Sequence, residues 1–307
     1  MEQNYDMIVV GGGPSGYTAA MYAARAGMKA LVIERFFAGG QMALTEQIDN
    51  YPGFPEGIDG ITLAQNMQQQ AERFGVETVN AEVTDMDLQA VPKKIVAGNQ
   101  VYSGKTVVIA TGAGPRKLGL VKEEELLGKG IHYCASCDGM FYKDKTVAVI
   151  GGGDTAAIDA LLLSRVAKKV YVVHRRDTLR ATRVYHEPLM QRENVEFCWD
   201  SVVEELLAEE KLTGIRLKNV KTGEMRDLDC DGVFVSVGRV PETGCLKGQL
   251  ALNQGGYILA DESTETGIPG VYAAGDVRSK KLRQVVTAVA DGAMAVSSAE
   301  EYLAENR

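Results

Sequence analysis

The stretch MIVVGGGPSGYTAAMYAARAGMKALVIERF, residues 7–36, decides the fold. It opens with an apolar run of strand length, passes through a glycine turn into an alanine-rich helical pattern, and closes on a second apolar run. That order reads as a βαβ unit. A second stretch, VAVIGGGDTAAIDALLLSRVAKKVYVVHRR, residues 147–176, aligns with it without a gap, 140 positions on. A lone glycine fingerprint is weak evidence. Two of them, each set between a strand and a helix, point to an α/β chain with two Rossmann-like three-layer dinucleotide-binding domains.

Each glycine has its own task. Gly11 and Gly151 permit the tight turn, and Gly13 and Gly153 let the backbone approach a pyrophosphate. Gly16, or Ala156 in the second unit, allows the helix to pack close on the strand, with the phosphate at the helix N-terminus. The end of the second strand separates the two ligands. Glu34 can accept hydrogen bonds from a ribose diol, so the first unit reads as a site for an unphosphorylated ADP moiety, FAD or NAD. The equivalent position is His174, followed by Arg175, Arg176 and Arg180. A carboxylate there would repel a 2′-phosphate, whereas forked guanidinium groups suit it, so the second unit reads as an NADPH site. A solvated basic turn is the plainer alternative for the arginines.

With 307 residues, 45% of them apolar and 24% charged, the chain can bury real cores, and its 34 glycines fall in no low-complexity tract. A formal charge of −8 argues against a nucleic-acid or anionic-membrane surface. No basic, then apolar, leader opens the chain, and no apolar run approaches the roughly 18 residues of a membrane span. A soluble cytoplasmic protein is expected. Of the five cysteines only Cys134 and Cys137 are close, in a C-x-x-C pair; Cys198, Cys230 and Cys245 read as buried thiols.

The C-x-x-C pair could be half of a zinc site, a redox dithiol or a coincidence. Zinc needs about four ligands. No second C-x-x-C exists, and His132, His174 and His186 are the only histidines, so no metal is expected. Redox chemistry remains: exchange needs a thiolate nucleophile and a good leaving thiol. Reduction of the pair also needs a proton, and the adjacent Asp138 is the candidate general acid, with a helix or turn cap as its alternative. Strand patterns ending in Gly and Pro flank the second unit at residues 107–116 and 233–243, and GVYAAGDVR at 270–278 reads as a strand ending in an acidic turn. The layout expected is an FAD domain at 1–113 and 242–307, with an NADPH domain carrying the C-x-x-C inserted at 114–241.

GGGPSG, GGQM, DNYPGF, ATGA, CASCDG, GGGDTA, HRRDTLRA, AAGDVR and RQVVTAVADG occur in that order. In this the chain resembles, over essentially its whole length, the low-molecular-weight bacterial thioredoxin reductases, class II pyridine nucleotide-disulfide oxidoreductases. The resemblance implies that NADPH reduces FAD, FAD reduces a Cys134–Cys137 disulfide, and the dithiol reduces thioredoxin. Cys137 then faces the flavin and Cys134 attacks the protein substrate. It places FAD on Gly11, Gly13, Pro14, Ser15, Gly16, Glu34, Arg35, Gly40, Gln41, Asn50, Asp276, Arg283 and Gln284. It places NADPH on Gly151, Gly153, Asp154, Thr155, His174, Arg175, Arg176 and Arg180. A homodimer and a large rotation of the inserted domain are also implied. The sequence departs from the family at Ile158 and Asp159, where a glutamate pair is usual. That departure keeps a different electron donor or acceptor, a ferredoxin-linked reductase or thiol oxidase, as an alternative. A non-catalytic flavin redox sensor is another.

Overall fold

The first fingerprint folds as strand β1 (Gln3–Val10), helix α1 (Pro14–Arg25) and strand β2 (Ala30–Glu34). In the computed structural model, which describes residues 3–45 and 47–306, β1 and β2 pair in parallel with Met7 opposite Ala30. Parallel strands bury both faces, which is why Ile8, Val9, Leu31 and Val32 are wholly shielded and no polar residue alternates among them. Helix α2 (Gly60–Glu72) starts at Asp59, whose carboxylate accepts the Thr62 N–H at 2.8 Å. It leads to the edge strand β3 (Glu77–Asn80). Antiparallel strands β4 (Val83–Asp87) and β5 (Lys93–Ala97) then feed the long β6 (Gln100–Ile109). β6 lies along β1 from Tyr102 to Ile109; β5 covers its other side only as far as Gly104.

The chain leaves through β7 (Ala113–Pro115) and enters a second unit. This begins with β8 (Ile131–His132), the four-residue helix α3 (Ala135–Asp138), and the second fingerprint as β9 (Thr146–Ile150), α4 (Asp154–Leu163) and β10 (Lys169–Val173). A short α5 (His186–Met190) precedes β11 (Val195–Cys198). An antiparallel meander, β12 (Ser201–Ala208), β13 (Leu212–Asn219) and β14 (Met225–Asp229), ends in β15 (Gly232–Val235). The unit's main sheet is parallel, in the order β11-β10-β9-β15-β8. The return is through β16 (Arg239–Pro241), which pairs with β7 in a two-stranded ribbon. Finally β17 (Val271–Ala273) fills the side of β6 beyond Gly104, and the long α6 (Val285–Glu305) closes the chain.

The division falls after Gly114 and after Arg239, so one unit is built from both ends of the chain around the other. The internal repeat is wider than the alignment of residues 7–36 with 147–176. Both units make an antiparallel excursion, β4–β5 or β12–β14, and then return with a parallel strand beside the first strand of the fingerprint. They differ in the fifth parallel strand. In the first unit it comes late, as β17; in the second it comes early, as β8, directly before the dithiol.

Candidate active site

In the first unit, α1 begins on Pro14 with no side-chain cap at Gly13, leaving its first N–H groups open to a ligand. Gly11 has φ +109°, and a Cβ there would stand 2.4 Å from the Ala110 carbonyl oxygen. A Cβ on Gly16 would stand 1.9 Å from the Gly11 oxygen, whereas one on Gly13 would meet nothing within 4 Å. The turn is therefore closed on itself at two glycines and bare at the third, a cradle that fits a diphosphate. Glu34 is pinned to it: its carboxylate accepts the Gly12 N–H at 2.6 Å and the Phe36 N–H at 3.1 Å.

The other expected flavin residues come from distant segments. Asn50 Nδ2 donates to Gln284 Oε1 at 3.1 Å across 234 positions of sequence. The Arg283 guanidinium lies 4.0 Å from the Tyr257 ring centroid and donates to the Asp276 carbonyl at 3.4 Å. Ser15 is buried against the turn that follows β17, where a Cβ on Gly275 would come 2.5 Å from its Oγ. Gly40 and Gln41 open a short 3₁₀ turn, with the Gln41 side chain exposed. Arg35 points elsewhere, pairing with Glu82 at 3.7 Å and covering the Phe36 ring. Sequence reasoning missed the support beneath this site. Asp291 of α6 accepts the Gly275 N–H at 2.9 Å, Arg278 Nη2 at 3.0 Å and Lys280 Nζ at 2.7 Å, all buried. It lies within RQVVTAVADG, but as one acid in a helix pattern it carries no local sign of what it meets.

In the second unit the Gly151–Gly153 turn repeats this logic: a Cβ on Gly151 would stand 2.4 Å from the Ser236 oxygen, while around Gly153 the nearest atom is Arg180 Nη2 at 3.9 Å. Arg180 is brought there by its own backbone, since the N–H groups of Arg180 and Ala181 donate to the Gly152 oxygen at 2.7 and 3.0 Å. Asp154 ties the same loop down, its carboxylate accepting the Thr182 N–H at 2.6 Å. Thr155, Arg175, Arg176 and Arg180 are exposed. His174 is not: its ring lies under the turn, where a Cβ on Gly152 would come within 2.3 Å of it, and its Nε2 is buried without a hydrogen-bond partner. Burial, followed by the charges of Arg180, Arg176 and Arg175, holds this imidazole below the usual histidine range. Of the two departing residues, Ile158 is exposed. Asp159 accepts from Ser236 Oγ at 2.5 Å, and burial raises its carboxyl above the usual range.

Cys134 and Cys137 form a disulfide across the first turn of α3, both sulfurs on partly exposed residues. The Cys134 carbonyl accepts from the N–H groups of Cys137 and Asp138 at 3.3 and 3.1 Å. Upstream, Tyr133 OH donates to Glu123 at 2.6 Å, and that carboxylate also accepts the N–H groups of Leu118 and Gly119. Asp138 makes no side-chain capping bond; its carboxylate lies 3.1 Å from His132 Nδ1. The remaining thiols are not disulfide-bonded. Burial pushes Cys198 up to about 11 and Cys230 to about 12, and raises the half-buried Cys245, so all three stay thiols at neutral pH. Among the described residues no group of three or more His, Cys, Asp or Glu side chains is placed to hold a metal.

A dinucleotide cradle in each unit and a partly exposed disulfide beside an acid define a flavin- and pyridine-nucleotide-linked disulfide chemistry. The family of pyridine nucleotide-disulphide oxidoreductases matches residues 5–292. The chain belongs to that family. It is 46% identical over 302 residues to a thioredoxin reductase of Streptomyces coelicolor, covering 97% of this chain and 94% of that protein. It is 44% identical over 303 residues to one of Treponema pallidum, covering 99% and 98%. The crystal structure of thioredoxin reductase from Streptococcus pyogenes superposes with a TM-score of 0.88 at 42% identity, over 99% of this chain and all of that one.

Proposed function

We infer that the protein is an NADPH-dependent thioredoxin-disulfide reductase carrying FAD. The observation that carries this reading is the Cys134–Cys137 disulfide, partly exposed at the start of α3 and in the same unit as the arginine-flanked fingerprint. The Gly11–Gly16 turn, Glu34 and the Asn50–Gln284 pair would hold FAD; Gly151, Gly153, Thr155 and the three arginines would hold NADPH, with His174 supporting the turn from beneath. Bound there, the two cofactors would supply the electron pair of one hydride, taken from NADPH and passed on to the disulfide.

Everything else falls to the chain's own residues. Cleavage of the Cys134–Cys137 bond takes up two electrons, and Asp138 is the acid beside it that can hold the proton the sulfurs need. Cys134, as thiolate, attacks the disulfide of thioredoxin, and Cys137 resolves the mixed disulfide, releasing dithiol thioredoxin and restoring the internal bond. The enzyme works as a homodimer in the cytoplasm. No described helix is long and apolar enough to cross a membrane.

Anaerobic mixing of the yellow holoprotein with NADPH, and separately with NADH, tests the reading. Rapid loss of flavin absorbance with NADPH, slow loss with NADH, and subsequent reduction of added thioredoxin are expected. Bleaching by neither nucleotide would overturn the donor assignment and direct attention to Ile158.

A further inference from the structure

Behind the dithiol lies a polar chain that no motif announces. His132, on the two-residue edge strand β8, is 8% exposed. Its ring stacks on Phe234 of β15 with centroids 5.2 Å apart and meets Tyr142 edge-on at the same distance. Both ring nitrogens are engaged: Nδ1 is 3.1 Å from Asp138 Oδ2, and Nε2 is 2.7 Å from Tyr142 OH. Two aromatic walls hold the imidazole still, and each nitrogen has a partner.

The two partners decide what the imidazole can do. With Asp138 ionised, Nδ1–H donates to the carboxylate and the Tyr142 hydroxyl donates to Nε2. When one proton enters, it sits either on the imidazole or on Asp138, and in both cases Nε2–H now donates to the Tyr142 oxygen. No nitrogen loses its partner, so the group can take up and release a proton without leaving a buried donor or acceptor orphaned. Tyr142 is suited to the end of such a chain. Burial, followed by the charge of Asp138, pushes its phenol up to about 12, which keeps the hydroxyl protonated at neutral pH. The other charged or titratable groups facing this cluster are Asp231 and Cys230, which act on Tyr142 from the segment before β15, and Lys145, 5.3 Å from the Tyr142 ring centroid.

We propose that His132 is a positioning residue for the dithiol chemistry: His132 and Asp138 hold one proton as a pair, and the pair supplies the proton taken up when the Cys134–Cys137 bond is cleaved. This rests on the reading of Asp138 as the acid. Two electrons, delivered from NADPH by way of FAD, enter the Sγ–Sγ bond and break it. One sulfur takes the pair's proton and becomes a thiol, and the other remains a thiolate. The pair is left as a carboxylate beside a neutral imidazole, and solvent refills it.

The test is the pH profile of kcat, at saturating NADPH and thioredoxin, for the holoenzyme and the variants His132→Asn, Tyr142→Phe and Asp138→Asn. His132→Asn keeps a donor beside Asp138 but cannot titrate. It is expected to lower kcat about 10-fold and to move the basic limb of the profile down by about one pH unit or more. The KM for thioredoxin and the FAD-to-protein ratio should stay at wild-type values. Tyr142→Phe keeps the aromatic packing and should move the limb the same way by less, so it carries the test if His132→Asn does not fold. A wild-type limb in whichever of these variants folds, with Asp138→Asn crippled about 100-fold, overturns the pair and leaves Asp138 as the acid. Wild-type kcat in Asp138→Asn overturns the reading on which the proposal stands.

Discussion

At Gly16 there is no room for even one methyl group, because a Cβ would stand 1.9 Å from the Gly11 carbonyl oxygen, a backbone atom that cannot swing aside. Gly16→Ala should therefore cost about 1–3 kcal/mol in denaturant unfolding and lower the flavin absorbance per protein chain; full flavin occupancy in the variant would contradict the cradle. This glycine was legible in the sequence because its role depends on residues five positions away. His174 was legible only in part. Its alignment with Glu34 marks the strand end, but the side chain lies under the turn while the three arginines remain at the surface. The consequence concerns pH. Its folded-state pKa is lowered, so the unfolded chain takes up a proton, near the ordinary 6.5, before the native one does. The stability of the neutral buried ring is thus present above that value and is lost as pH falls toward the folded one. Wild-type protein should lose more unfolding free energy between about pH 7.5 and about pH 5 than His174→Asn; equal losses would refute the assignment.

Helix α6 shows how one helix can serve a turn far away in sequence. Its Asp291 accepts the Gly275 N–H and two buried cations, so Asp291→Ala would leave Arg278 and Lys280 buried without their carboxylate. Removing one partner from such a network costs about 3–5 kcal/mol. Urea unfolding should show this as a lower midpoint, with flavin lost from the same unit; a variant of wild-type stability would mean that solvent reaches the cations freely. The helix begins within RQVVTAVADG, a stretch that marked the family resemblance and not a helix. Its buried charge was unforeseen, because periodicity reports which face is apolar and says nothing of what a lone acid meets. β8 makes the same point more sharply. Two residues carry no periodic signal at all, yet their pairing beside β15 is what puts His132 between Asp138 and Tyr142.

For the whole molecule, the feature with most consequence is that the dithiol and the arginine-flanked fingerprint belong to the second unit and the other fingerprint to the first, with β7 and β16 pairing where the chain crosses twice. On the proposed function, in which nicotinamide and disulfide take turns at the flavin, turnover requires the units to move. Covalent tethering of the two units should abolish NADPH-dependent thioredoxin reduction while leaving FAD bound; unchanged turnover after complete tethering would refute that requirement. Sequence alone determined the two βαβ units, the arginine cluster that follows the second, and the C-x-x-C pair. Each is written in a run of some thirty residues or fewer, through periodicity, glycine spacing and charge, where chain connectivity alone brings the groups together. Only the tertiary structure decided that Asn50 meets Gln284, that Asp291 holds the Gly275 turn, that His174 turns inward, and that Asp138 is paired with an imidazole. Those outcomes depend on which strand lies beside which and on the burial that follows, a free energy summed over residues far apart in the chain that no local pattern records.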